Sequence, residues 1–488
     1  MAIGYDRDLT RELEVIGSFI AGLNVSCSGC SWQLELSARD GLCLVSHDRV
    51  AVDAYWQRRS ISLDNQSFEF IDQKSGERFL IERSLYKTVS CNPFKPNAKV
   101  QLFEFKNDRP VGNYRLQAIL SLRRGLSVPY PPHYFSESML DVERMCCSVN
   151  NNGSRCCSNG IRFTYHSVDY LVYEVSRDIH EAKSLVVESL SGIEYSEFTA
   201  SVRTILNAIG LITGYYCFAP FWIFTDAHEF VAYNDCLCDG GETRYHMWSM
   251  NPYWYFCDAD RDSELAQGVR SELRAVTKEQ FEELLNRLDN KKFAHLFYTF
   301  QDLALHGSGL CASTKLPVYA TCLEMCGKWW KDQLGTLDKK PKSELFEKEV
   351  RDRITKRIEE LLDNEAVDDS ERTICKKKKK IRNIFQSANQ DLLLSAFEGC
   401  GIELNESERE YFKFRNPLLH GSDIIKSDSQ EDNPRGYVEE RCFGFHALIW
   451  RFIMKSVGYK GVYIDVAKRD QLFRASQSND KKPLTRMV

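Results

Sequence analysis

Arg415, Asn416 and His420 stand close together in the run Phe414-Arg415-Asn416-Pro417-Leu418-Leu419-His420-Gly421. The R-N-x-x-x-H string combines a permanent cation, an amide and an imidazole that titrates near neutral pH, a set suited to attack on a phosphodiester. An Arg and a His five apart recur by chance in long chains, so spacing alone leaves two readings open: satisfied structural groups, or a phosphate site with one acid/base group. A control lies nearby: Arg382-Asn383 has Ser387 at the matching position, so it lacks the full set.

The string must be carried by helices. Ser407-x-x-Glu410 fits a capping box and predicts a short helix through Phe414. Asn416 precedes Pro417, which disfavours the α region, and Asn is a preferred N-cap. A new helix, or a kinked continuation, is therefore expected to begin with Pro417 as its first residue. Asn416 and His420 would share a face there, and the positive helix end would attract an anion.

The surrounding chain reads as an α+β multidomain protein. At 488 residues it exceeds one core, and its 43% apolar and 12% aromatic content describes folded material. Leu42 to Val45, Val50 to Ala54, Phe68 to Ile71, Phe79 to Glu82 and Val100 to Phe105 predict a β-rich domain over residues 1–125. Residues 126–270 read as a proline-containing insertion loop followed by an α+β region. In it a strand or hairpin spans Phe163 to Val175, helices span 178–193 and 196–213, and strands fall near 218–232.

From 277 the apolar period becomes helical. Thr277-x-x-Gln280 is a capping box, followed by Phe281, Leu284, Leu285 and Leu288 on one face. Further stripes are Leu316, Tyr319, Leu323, Cys326, Trp330 and Phe346, Val350, Ile354, Ile358. A segment from Ile381 to Glu398 stops at Gly399, and one from Tyr437 to Val457 stops at Gly458. An all-α region over 277–468 follows, with a disordered polar tail expected over 476–488.

The formal charge of −5 gives no global nucleic-acid signature, so contact with phosphates must be local. The one basic run is Lys376, Lys377, Lys378, Lys379 and Lys380 with Arg382; a solvated surface and a phosphate-contacting patch are its two readings. Acidic residues near the start do not resemble a signal peptide, and a cytoplasmic location with no membrane association is expected. The uncharged stretch Thr204 to Thr225 is long enough to span a bilayer, but its Asn207, Gly214 and Pro220 favour a buried helix turning into a core strand.

Eighteen cysteines form three clusters with partial zinc-ligand spacing. These are Cys27-x-x-Cys30 with Cys43; the doublets Cys146-Cys147 and Cys156-Cys157, which a hairpin would bring together; and Cys236-x-Cys238 with His246 and Cys257. None supplies two well-formed knuckles, so no metal and no cofactor is expected.

The R-N-x-x-x-H string late in an all-α region resembles the signature of the HEPN superfamily of ribonucleases. Leu316-Pro317 followed by Leu323-Glu324, the Lys-rich helix entry, the Arg-Asn-Pro-Leu-Leu-His-Gly block and Gly458-Tyr459-x-Gly461-x-Tyr463-Ile464-Asp465 are together similar to the HEPN domain of ApeA-type anti-phage proteins. That resemblance, over residues 280 to 468, implies a metal-independent endoribonuclease. RNA supplies its own nucleophile, the 2′-hydroxyl, so the enzyme needs only proton transfer and charge stabilisation.

In that reading His420 is general base or acid, and Arg415 holds the scissile phosphate. Asn416 orients His420 or the phosphate, or caps the helix. Products carry 2′,3′-cyclic phosphate and 5′-hydroxyl ends, and DNA is not cut. One His leaves the second proton transfer without an owner, which implies a homodimer or a higher even homo-oligomer with facing motifs.

Glu324 and the lysine run are further candidates near the groove. The family context adds abortive-infection defence: a toxin acting on cellular RNA, with tRNA and mRNA as candidate substrates, and an N-terminal region sensing a phage-derived trigger. Two alternatives are a non-catalytic HEPN RNA-binding or interaction module, and a zinc-stabilised interaction protein.

Overall fold

Runs of β-branched and aromatic residues in the first half become the strands of one large sheet. In the computed structural model the described residues are 3–27, 30–37, 41–46, 68–81, 86–92, 97–102, 104–107, 113–121, 139–148, 155–175, 184–216, 221–234, 244–245, 267, 274–305, 310–334, 348–364, 389–419, 434–464 and 485–487. The chain divides into two units. The first comprises Met1–Arg287 with Gly461–Ile464, and the second Leu288–Lys460 with Asp465–Val488.

Strands of the first unit are β1 (Ile3–Asp8), β2 (Leu23–Cys27), β3 (Cys30–Ser37), β4 (Gly41–Ser46), β5 (Phe68–Asp72), β6 (Arg78–Ile81) and β7 (Tyr86–Asn92). They continue as β8 (Asn97–Leu102), β9 (Glu104–Asn107), β10 (Leu116–Ser121), β11 (Glu143–Ser148), β12 (Arg155–Tyr165), β13 (Val168–Val175) and β14 (Ser184–Ser189). Last come β15 (Tyr215–Tyr216), β16 (Phe221–Thr225), β17 (Phe230–Asn234) and β18 (Arg244–Tyr245). Among the described residues, sixteen strands run in the order β1-β11-β12-β13-β14-β10-β16-β17-β9-β6-β5-β2-β3-β4-β8-β7. The β1–β11 pair is parallel and the other strand pairs are antiparallel, so strands from residues 1–125 and from 126–270 share one sheet.

Both faces of this sheet are covered where β13 runs. Helix α1 (Thr10–Ala21) sets Ile16 and Phe19 into an aromatic cluster with Phe70, Phe79, Phe105 and Trp222; Phe19 lies 5.1 Å from Trp222. Leu171, Tyr173 and Val175 of β13 join that cluster. The alternate residue Tyr170 stacks with Phe163 and with Phe198 of α2 (Tyr195–Thr213), and Phe163 meets Phe281 of α3 (Lys278–Leu288) edge-on. Alternation along β13 thus sends successive rings to opposite faces.

Several expectations hold. Helix α2 stops at Gly214, whose φ of 76° suits glycine, and the chain continues into the buried strand β16. Among the described residues no helix is long and apolar enough to cross a membrane. The box at α3 is present: Gln280 N–H donates to Thr277 Oγ1 at 3.3 Å, and Thr277 N–H donates to Gln280 Oε1 at 3.1 Å.

Others are corrected. Of the helix expected over 178–193, residues 184–189 are the strand β14, with all six residues buried between β13 and β10, and residues 178–183 lie outside the described ones. A strand covered on both faces loses its polar alternation and so mimics a buried helix in sequence. The run Val100 to Phe105 divides: β8 pairs with β4 and β7, whereas β9 pairs with β17 and β6. Val50 to Ala54 lies outside the described residues.

The second unit is helical: α4 (Lys291–Leu305), α5 (Ala312–Leu334), α6 (Lys348–Asn364), α7 (Asn389–Gly399), α8 (Glu406–Leu419) and α9 (Pro434–Ser456). Leu316, Tyr319, Leu323 and Cys326 of α5 are buried, as their spacing predicts. Trp329 of α5 meets Phe293 of α4 and Phe452 of α9, and Phe397 of α7 meets Phe412 of α8 and Phe452.

Helix α7 ends through Gly401 rather than Gly399. Gly401 has φ 81°, and Ile402 N–H donates to Phe397 O at 3.0 Å, closing a left-handed cap. Gly458 closes α9 in the same way. In the polar tail after Ser476, Thr485–Met487 form a short strand, β20, preceded in chain order by β19 (Val462–Ile464).

Candidate nucleic-acid site

Helix α8 carries Arg415, and its start is fixed by Asn405 and Glu408 rather than by Ser407 and Glu410. Glu408 N–H donates to Asn405 Oδ1 at 2.8 Å, and Asn405 N–H donates to Glu408 Oε2 at 2.9 Å. The other oxygen of Glu408 accepts from Arg451 Nη1 of α9 at 2.6 Å, while Arg451 Nη2 donates to Glu403 O at 3.0 Å. Both side chains are buried, so cap and ion pair lock the entry of α8 to α9.

The helix then runs without a break through Asn416 and Pro417 to Leu419. Of the two expectations at Pro417, a continuation of the helix holds and a new helix starting there does not. The hydrogen bond lost at a proline leaves a continuous helix here, because the flanking Tyr411, Phe412, Arg415 and Leu418 are buried and hold it. Arg415 and Asn416 therefore lie towards the C-terminal end of α8, the negative end of its dipole, where cations rather than anions are favoured.

Arg415 is 2% exposed. Its Nη1 stands 3.6 Å from Oε1 of Glu324 on α5, and Glu324 in turn lies 3.8 Å from Lys328 Nζ. Burial pushes the Arg415 pKa below its usual value, and the Glu324 carboxylate opposes that shift. The guanidinium nevertheless remains charged at neutral pH. The structure thus brings together two of the sequence candidates, Arg415 and Glu324.

The other candidates are placed as follows. The backbone of Asn416 is in α8, and its side chain lies outside the described residues. His420, Lys376, Lys377, Lys378, Lys379, Lys380 and Arg382 also lie outside them. Among the described residues no group of three or more His, Cys, Asp or Glu side chains is placed to hold a metal ion. Of the cysteine clusters, Cys27 stands opposite Cys30 on β2 and β3, and the two doublets face each other on β11 and β12. Cys236, Cys238, His246 and Cys257 lie outside the described residues.

A second cation beside α8 escaped the sequence reading. The Arg441 guanidinium on α9 lies 3.8 Å from the Tyr437 ring centroid, 4.9 Å from Phe414 and 5.7 Å from Tyr411, and it donates to Tyr437 Oη. Phe414 meets Tyr437 edge-on at 5.9 Å. Arg441, Tyr437 and Phe414 are half-buried, so the cluster is a partly open cation and aromatic surface beside the motif. Its signal in the sequence was the pair Tyr437 and Arg441, one helical turn apart.

No family model, curated protein or solved structure matches the chain.

Proposed function

We propose that this chain is a metal-independent endoribonuclease of HEPN type, in which Arg415 stabilises the scissile phosphate and His420 transfers the proton. The observation that carries the reading is the Arg415–Glu324 pair: the motif's arginine is a charged group set in the helical core and held by a carboxylate on α5. Glu324 acts as a positioning residue, fixing the guanidinium plane. Attack by the 2′-hydroxyl needs a base, an acid and a cation on the developing charge, and no metal.

Arg441 with Phe414 and Tyr437 supplies a stacking platform for an unpaired base next to the motif. Two chains with facing motifs complete the proton-transfer pair, and the sheet-containing unit is the restraint released by a phage-derived trigger. The deep burial of Arg415 supports a second reading, an RNA-binding module that does not cut, in which Arg441 and its rings make the contact and Arg415 only holds α8 to α5.

The deciding experiment incubates the purified full chain with total tRNA and mRNA in excess EDTA and sequences the ends. Cleavage leaving 2′,3′-cyclic phosphates, abolished by His420→Ala and by Arg415→Ala, supports the nuclease. RNA binding without new ends, lost on Arg441→Ala and kept in His420→Ala, supports the binding module.

A further inference from the structure

Four cysteines allow three disulfide connectivities, and sequence cannot choose among them. The register of β11 and β12 chooses. Cys146 stands directly opposite Cys157, and Cys147 directly opposite Cys156, in an antiparallel pair. Opposite residues of such a pair have Cα atoms about 4.5–5.5 Å apart, inside the roughly 4.4–6.8 Å range that a disulfide bridges.

The other two connectivities conflict with strand geometry. Consecutive residues of a strand take opposite faces, which separates Cys146 from Cys147 and Cys156 from Cys157. The diagonal partners, Cys146 with Cys156 and Cys147 with Cys157, fall on opposite faces for the same reason. Each face thus carries one directly opposed pair of positions.

We infer that Cys146–Cys157 and Cys147–Cys156 are a redox modification site: two cross-strand dithiols, one on each face of the β11–β12 hairpin, that a peroxide converts to disulfides. In each pair one thiolate attacks the peroxide, giving a sulfenic acid and, after protonation, one water. The facing thiolate then attacks that sulfur, forming the S–S bond and expelling a second water. Two thiols lose two electrons, and one peroxide is reduced to two waters.

The test treats the native full chain with increasing hydrogen peroxide, blocks remaining thiols and digests with trypsin. Cuts after Arg144, Arg155 and Arg162 separate the two doublets onto different peptides. Expected is one disulfide-linked pair of peptides, recovered from the single-chain band of a non-reducing gel and released by a dithiol. Unlinked peptides carrying internal disulfides, or peptides that stay alkylated, overturn the assignment without any variant.

Among variants, Cys146→Ser/Cys157→Ser and Cys147→Ser/Cys156→Ser each retain one facing pair and still link. Cys146→Ser/Cys156→Ser retains a diagonal pair and does not link. Equal linking of the diagonal variant overturns the pairing.

Discussion

Replacing Glu324 by Gln removes one charge from the Arg415 pair and keeps the size of the side chain. At 3.6 Å, Coulomb attraction is worth about 1.2 kcal/mol in a water-like dielectric and about 4.6 kcal/mol at an effective dielectric of 20. Arg415 belongs near the second limit, with its side chain 3% exposed, whereas that of Glu324 at 32% draws the pair towards the first. A loss of about 2 kcal/mol follows, less than the 3–5 kcal/mol of a fully buried pair because water still reaches Glu324. Since the pair ties α8 to α5, the loss appears as easier opening of α8. Hydrogen exchange on the full chain therefore shows amides of Phe412 to Leu418 exchanging about 30-fold faster in Glu324→Gln, about 2 kcal/mol over RT. Amides of α3 stay unchanged. Acceleration below about threefold refutes the claim that this ion pair holds the helix.

Other perturbations probe the same frame. Glu408→Gln leaves the buried Arg451 without its carboxylate, and thermal unfolding of the helical unit shifts down by an amount corresponding to about 3 kcal/mol. Gly444→Ala places a Cβ 2.1 Å from Cε2 of Tyr411, which forces α9 away from α8; it lowers the melting temperature by the equivalent of about 1–3 kcal/mol and reduces any RNA cleavage with it. Cys311, exposed just before α5, has its pKa lowered to about 7 by the hydroxyls of Ser313 and then Thr314. Its alkylation rate therefore rises through a midpoint near pH 7, and Ser313→Ala/Thr314→Ala moves that midpoint to higher pH, towards an ordinary thiol.

The parts of the fold legible in the sequence were those whose signal is local. Thr277 and Gln280 announce α3 because both partners of the capping box lie within one turn, and Gly458 announces the end of α9 for the same reason. What the sequence hid depends on neighbours. Whether Leu185, Val186 and Val187 form a helix or a strand is decided by β13 and β10, which enclose them on both sides. Helix α1 carried a readable pattern in Leu9, Leu13 and Ile16, but it sits among strands. At the site, Asn405 outcompetes Ser407 as cap because its partner Glu408 is also claimed by Arg451, 43 residues on.

The direction of α8 changes what the R-N-x-x-x-H motif asks of its surroundings. A helix beginning at Pro417 would aim free N–H groups at a phosphate, and that half of the charge stabilisation would come from the backbone. With α8 running through to Leu419, the nearby helix end is negative and repels an anion. That end of α8 therefore offers no help, and one carboxylate, Glu324, already draws on the Arg415 charge. In the nuclease reading, the deficit at the phosphate must be met by further side-chain cations. Arg441 is one that the described structure sets beside Phe414 of α8, and a facing copy of the motif would add a second Arg415. Cleavage should then fall with the square of enzyme concentration below the dimer dissociation constant. A mixed dimer of wild-type and Arg415→Ala chains should cut far less than half as well as the wild type, whereas a rate linear in concentration down to the lowest measurable value would exclude the composite site.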